Sequence, residues 1–419
     1  MFNEESIQQV DAARFNAAFA RPLYEGYSFA QIPQTVRYAL TGESGGLPLK
    51  IFGHLPQRYR KVALILVDSF GWRFLMNYYK EYPALKRFAD SGVISKISVQ
   101  FPSTTSAHVT TINSGLPVGE SGVYEWFYYE PSLDAIISPL TFSYAATHRE
   151  SLRNVVAPGA ILPQQTIYQA LAAHGIQSYV LQESTIAHSS YSKTLTNGAE
   201  ILPFVTLSQG LLNLAYLLNS LKERAYVFYY YSALDSIAHG YGPDSAHHRA
   251  EIDTFFTALE RIFFANLERD GETLILLTAD HGQVEVDPST TRYLNRELPQ
   301  LTPLFRVDRR GAPLVPAGSA RDMFLYVKQA HLDEAYAMLT AHLRGCAEVY
   351  RTSDLIEEGF FGLHCSEVFR KRLGELVVLP YAHESVWWHE QGKFEQTFLG
   401  HHGGLTPDEM HSVLMVLAH

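Results

Sequence analysis

Asp235 and His239 stand four residues apart, a spacing that on a helix sets a carboxylate and an imidazole on one face about one turn apart. Two such side chains can grip one metal ion. Asp280 and His281 repeat the pairing directly, followed by Gly282, and His401 and His402 lie together within Gly400 to Gly404. Asp68 ends an apolar run, where a buried carboxylate must be hydrogen-bonded, charge-paired or bound to a cation. Thr105 closes the phrase Phe101-Pro102-Ser103-Thr104-Thr105 and opens a helical pattern, where free backbone N–H groups favour an anion. A threonine hydroxyl is a weak nucleophile at neutral pH and needs a base or a metal. No base stands nearby in the sequence, so the residues point to metal-assisted phosphoryl transfer. Each feature alone has a plainer reading: a helix cap, a solvated helical pair, a surface loop. Their joint presence in order, each at the end of a strand or helix, argues for a site.

The elements that must position these residues are legible as hydrophobic pattern. Lys61 to Val67 is a continuous apolar run ended by Asp68, followed by a helical stretch through Phe88. Further strands are predicted over 93–99, 177–181, 225–231 and 273–278, with helices over 106–114, 166–174, 207–223 and 246–269. Such alternation predicts an α/β fold with a mostly parallel sheet flanked by helices. Ligands at the carboxyl ends of its strands would face the crevice where open α/β sheets bind ligands. Between Gln283 and Leu399 the texture changes. Pro288, Pro299, Pro303, Pro313 and Pro316 punctuate it before a strand-like 321–328 and a helix over 332–343. This predicts a smaller inserted α+β cap over 284–399, with the catalytic core formed by 1–283 and 400–419.

Composition narrows the class. The 419 residues carry 33 Lys and Arg against 43 Asp and Glu, a net charge of −10, with no basic run that could track a nucleic-acid backbone. An anionic substrate would need strong local positive charge, which bound divalent cations supply. The start of the sequence has no signal-type apolar stretch and no later segment reaches membrane-spanning length, so the expected setting is the cytoplasm, without a membrane role. The two cysteines, Cys346 and Cys365, fit a reducing compartment.

The order of these motifs resembles the alkaline phosphatase superfamily, and within it the type I phosphodiesterase and nucleotide pyrophosphatase branch. That branch carries an Asp after the first strand, as Asp68 does, and a PheProThr-x-Thr phrase with which residues 101–105 align. Its Asp-x-x-x-His-x-x-GlyPro is matched by Asp235, His239, Gly242 and Pro243. Its AspHisGly is matched by residues 280–282, and its Gly-x-HisGly by Gly400, His402 and Gly403. The resemblance implies Thr105 as nucleophile, one zinc ion held by Asp235, His239 and His402, and a second held by Asp68, Asp280 and His281 with the Thr105 oxygen. It also implies phosphodiester or pyrophosphate cleavage of a small-molecule ester or nucleotide through a phosphothreonine. The stretch 121–131 resembles the segment leading to the branch's nucleobase pocket, so Trp126 and Tyr129 are candidate stacking residues, against the plainer reading of an aromatic core.

Two departures are visible. Members of the branch often carry Asn two residues after the nucleophile to contact a phosphate oxygen, but this chain has Ala107. The Cys-x-Pro-x-Arg of sulfatases is absent, which excludes that chemistry. His364, His383 and His389 in the expected cap have no tight ligand spacing and read as surface or packing residues. A phosphomonoesterase or carbon–phosphorus hydrolase on the same core, and a non-catalytic metal-binding scaffold, are the rival readings.

Overall fold

The computed structural model describes all 419 residues. Its central sheet is built from β1 (Lys61–Val67), β2 (Val93–Ser98), β3 (Gln177–Glu183), β4 (Glu200–Phe204), β5 (Ala225–Tyr231) and β6 (Thr273–Thr278). Residues 284–399 add β7 (Met323–Leu325), β8 (Ala347–Arg351) and β9 (Leu376–Pro380), and β10 (His411–Ala418) follows. The strand order of the large sheet is β2-β10-β6-β1-β5-β3-β4. All neighbours run parallel except β10, which is antiparallel to both β2 and β6.

The central strands β1, β5 and β6 are fully buried and mostly apolar because the sheet is covered on both faces there. On β1 the side chains of Val62, Leu64 and Leu66 join one buried cluster, and those of Ala63, Ile65 and Val67 join the other. This is the two-residue alternation of a strand with two cores. In the large sheet the structure adds two strands to those expected from the sequence. β4 has a weak polar-flanked pattern, Glu200 to Phe204, and β10 lies beyond the last motif. The helix expected over 246–269 is shorter, running as Ala246–Ala258 and widening into a π-type segment, Leu259–Phe264. The chain then turns through Gly271 at φ 70°, a conformation that suits glycine.

The stretch 284–399 has a three-stranded antiparallel sheet in the order β7-β9-β8 and its own apolar cluster, which includes Leu301, Met323, Leu339, Val378 and Trp387. It also sends Leu355, Phe360, Phe361 and Phe369 into the larger cluster of the core. A buried ion pair ties the two. Arg321, fully enclosed, meets Glu409 through two bonds of 3.0 and 2.9 Å, and Glu409 also accepts from the Gly404 N–H at 3.0 Å. Buried ion pairs hold only when further bonds satisfy them, which is the arrangement here.

Candidate metal centre and active site

Three adjacent strands deliver the chemistry. Asp68 follows β1, Asp280 and His281 follow β6, and β5 leads into the helix Ala233–Tyr241, which carries Asp235 and His239. Because β5, β1 and β6 are neighbours and parallel, their carboxyl ends meet on one edge. At the end of β1 the chain turns sharply at Ser69, a non-glycine residue with φ 63°, and its N–H donates to Asp280 Oδ1 at 3.1 Å. Such a left-handed residue costs on the order of 1 kcal/mol and persists only where its surroundings hold it. Gly282 is required by space, since a Cβ there would lie 2.1 Å from the Asp408 carbonyl oxygen.

Two ligand groups result, sharing one histidine. Asp68, Asp280 and His281 offer atoms all within 4.8 Å of one another, as do Asp235, His281 and His402. His281 Nε2 lies 3.4 Å from Asp68 Oδ1 and 3.5 Å from Asp280 Oδ2. His239 Nε2 lies 3.3 Å from Asp235 Oδ2, and His402 Nε2 lies 3.6 Å from Asp235 Oδ1. The rings of His281 and His402 stack at 3.6 Å. Each imidazole is oriented through its other nitrogen. Nδ1 of His239 donates to the Gly400 carbonyl at 2.7 Å, that of His281 to Gly282 at 3.0 Å and that of His402 to Ser103 at 2.9 Å. A carbonyl can only accept, so in the neutral form of each ring the lone pair falls on Nε2, the arrangement of metal-ligating histidines.

The acid residues fit a cation equally well. Asp68 Oδ1 and Asp280 Oδ2 are buried with no hydrogen-bond partner. Unpaired buried carboxylate oxygens are costly unless a positive charge completes them. Burial, followed by the charges of Asp280 and Asp235, pushes the Asp68 carboxyl well above the usual range. Burial also opposes ionisation of Asp235, yet the neighbouring His239, through its charge and hydrogen bond, holds the carboxyl below the usual range. Burial and the neighbouring His281 hold His402 well below the ordinary imidazole value, so its ring is neutral and available as a ligand.

Thr105 is the first residue of the helix Thr105–Ser114, and its hydroxyl does not cap that helix. Thr105 Oγ1 lies 3.1 Å from His281 Nε2, facing the ligand cluster. The backbone N–H groups of Thr105, Ser106 and Ala107 have no acceptor, so three donors and the positive helix end point to the same place.

Several residues at the site carry no motif signal. Tyr230 donates its hydroxyl to Asp68 Oδ2 at 2.5 Å, and the Gln283 amide donates to Asp235 Oδ1. Tyr230 is one of three consecutive tyrosines in β5 and reads as sheet core. Gln283 directly follows the AspHisGly phrase, and that adjacency is the one signal that could have found it. Glu125 and Asp322 are both buried, and each keeps an unpartnered oxygen. Burial pushes the Glu125 carboxyl up to about 8, and burial with the Glu125 charge pushes Asp322 well above its usual range.

Two cavities open from the centre. The smaller, about 200 Å³, lies toward the ends of β3 and β5, and the larger, about 490 Å³, is lined by residues of 318–320 and 387–398. Both are lined by Thr105, Trp126, Asp235 and Ser236. Trp126 is the aromatic residue common to both. Tyr129, the other aromatic expected to stack on substrate, lines neither cavity. It is nearly buried, with its ring edge-on to Tyr326 at 5.6 Å and its hydroxyl donating to Asp134 at 2.7 Å. Phe127, Trp387, Phe394 and Phe398 furnish the aromatic surface of the larger cavity instead. His401 pairs with Val284 in a short antiparallel bridge, and its ring lies 5.4 Å from that of His239. His389 is engaged with Arg296 and His383 with the Glu285 carbonyl.

The sequence from 62 to 405 matches the model of the type I phosphodiesterase/nucleotide pyrophosphatase family. No curated protein matches the sequence. Among solved structures, the chain is similar to murine ectonucleotide pyrophosphatase/phosphodiesterase 5, an inactive variant in complex with AMP. The TM-score is 0.64 and the identity 17%, over 85% of this chain and 87% of that one. The human form of that protein gives a TM-score of 0.63 at 17% identity over 85% and 87%. Phosphonoacetate hydrolase from Sinorhizobium meliloti, in complex with phosphonoacetate, gives 0.61 at 17% identity over 85% and 90%. At such identity the likeness concerns the fold.

Proposed function

The chain belongs to the type I phosphodiesterase/nucleotide pyrophosphatase family, and from that premise we propose that it is a two-metal phosphodiesterase working through a phosphothreonine at Thr105. The observation that carries the diester reading is the pair of cavities meeting at Thr105 and Trp126. A phosphorus atom held there has room for a substituent on each side, whereas a monoester needs one. The larger, aromatic cavity suits a planar group such as a nucleobase, stacked on Trp126 or Phe398.

Asp235, His239 and His402 would hold one divalent ion, and Asp68, Asp280 and His281 the other, with Thr105 beside it. Zinc suits this mixed nitrogen and oxygen set. When bound, the ions neutralise charge at phosphorus and lower the pKa of the attacking hydroxyl. The remaining work falls to the chain. Thr105 Oγ1 attacks phosphorus in line, the leaving oxygen departs opposite, and water entering on the Asp235 side then hydrolyses the phosphothreonine. The free N–H groups of Ser106 and Ala107 can hold a phosphoryl oxygen through the transition state, supplying from the backbone the contact that an Asn side chain at 107 would make. Tyr230 and Gln283 fix the carboxylates, and Trp126 lines the space of both substituents. In the proposed division, residues 284–399 form the cap over the larger cavity. The two free thiols, Cys346 and Cys365, support a cytoplasmic setting.

The test is parallel turnover of bis-p-nitrophenyl phosphate, p-nitrophenyl phosphate and phosphonoacetate by zinc-loaded protein. A kcat/KM at least tenfold higher for the diester is expected. Preference for the monoester or for the phosphonate would replace the reading with one of its rivals, and a metal-loaded protein inert to all three would favour the non-catalytic scaffold.

A further inference from the structure

The polar lining of the smaller cavity is largely consumed by the protein itself. The Tyr191 hydroxyl pairs with Thr110 at 2.7 Å, and the Tyr230 hydroxyl is given to Asp68. Asn113 Nδ2 donates to the Val109 carbonyl at 2.7 Å while its Oδ1 accepts from Tyr168, and Thr196 bonds back to Ser192 at 2.8 Å. One strong donor in that lining is uncommitted. Arg149 stands at the solvent side of the cavity with no ion-pair or hydrogen-bond partner. It is the sole Lys or Arg lining this cavity, and Lys393, in the larger one, is already paired with Glu390.

The neighbouring carboxylate is not its partner. Glu150 accepts from the backbone N–H of Ser190 at 2.9 Å and from its hydroxyl at 2.5 Å, and it lies 3.2 Å from Arg153. Glu150 also sits at φ 64°, a left-handed conformation that costs a non-glycine residue on the order of 1 kcal/mol. The Ser190 bonds fasten the loop in that shape with Glu150 turned toward the helix Ser190–Leu195 and Arg149 left on the cavity wall. In a chain of net charge −10, an anion reaches this cavity only where a local cation receives it.

We infer that Arg149 determines specificity for substrates whose arm in the smaller cavity ends in a second anionic group, a carboxylate or a terminal phosphate. A guanidinium presents a planar fork of donors to either group and keeps its charge at any working pH. This rests on reading the site as a phosphodiesterase, with the smaller cavity receiving one arm of the ester.

The test uses p-nitrophenyl diesters that differ only in the second arm: propyl, 3-carboxypropyl and propyl ending in a phosphate. All release the same p-nitrophenolate. The zinc-loaded protein should show a kcat/KM at least tenfold higher for an anionic arm than for propyl, expressed mainly in KM and weakened by salt. Comparison of the carboxylate and phosphate arms identifies which anion fits. R149A should collapse the anionic-to-propyl ratio toward one, and R149K should keep an intermediate ratio. Turnover of all three esters without an anionic preference, or a preference that R149A leaves intact, would overturn the inference while the diesterase reading stands. Release from none of the esters would overturn both.

Discussion

Asp68 offers the sharpest test of whether the centre is built for cations, because the same substitution should act oppositely with and without metal. Asp68 and Asp280 present oxygens within 4.8 Å of one another, both buried. At an effective dielectric of about 20, two ionised carboxylates at that distance repel by about 3 kcal/mol. Asp68→Asn removes one charge, while its remaining oxygen can still accept from Tyr230. The sign with pH follows from the raised Asp68 value. The folded protein holds this proton more tightly than the unfolded chain, so stability is present below the ordinary carboxylate pKa and is lost as pH rises through the folded one. The Asn variant escapes that loss. Stripped of metal, it should unfold at nearly the parent temperature at pH 4 and higher than the parent at pH 8. For 419 residues, 3 kcal/mol corresponds to about 3 °C. Adding zinc should raise the parent's Tm by several degrees and the variant's by much less. Thermal unfolding of both proteins, chelated and zinc-loaded, at the two pH values measures all of this. A metal-free variant less stable than the parent at pH 8, or an undiminished response to zinc, would refute the reasoning.

Three further outcomes are expected. Thr105→Ala should lower kcat by at least about 1000-fold while metal content by elemental analysis stays near that of the parent, since six other side chains remain as ligands. Arg321→Ala leaves Glu409 charged and buried, and chemical denaturation should report a loss of about 3–5 kcal/mol. Glu125→Gln should stabilise the protein increasingly as pH rises from 5 to 9. Its carboxyl, pushed up to about 8, costs the folded state progressively above the ordinary Glu range, with an upper bound of about 5 kcal/mol; thermal unfolding at both ends of the range checks this.

The central strands were legible because a strand covered on both faces must be apolar along nearly its whole length, as between Val62 and Val67 or between Leu274 and Leu277. The chemistry was legible because Asp, His and Thr at fixed spacings have few reasons to recur together at strand and helix ends. Residues whose role depends on a distant partner left no such trace. Tyr230 reads as one more aromatic of a buried strand until the fold sets Asp68 against its hydroxyl. Glu125 and Asp322, nearly two hundred positions apart, become a buried acid pair only when the chain folds. Tyr129 and Trp126 are equivalent in the sequence, but folding buried one against Tyr326 and left the other lining both cavities. Local pattern thus determined which residues could act and on which elements they sit. Burial, orientation and the partition of space around Thr105 came from long-range packing, because these properties belong to pairs of surfaces and not to any one stretch of chain.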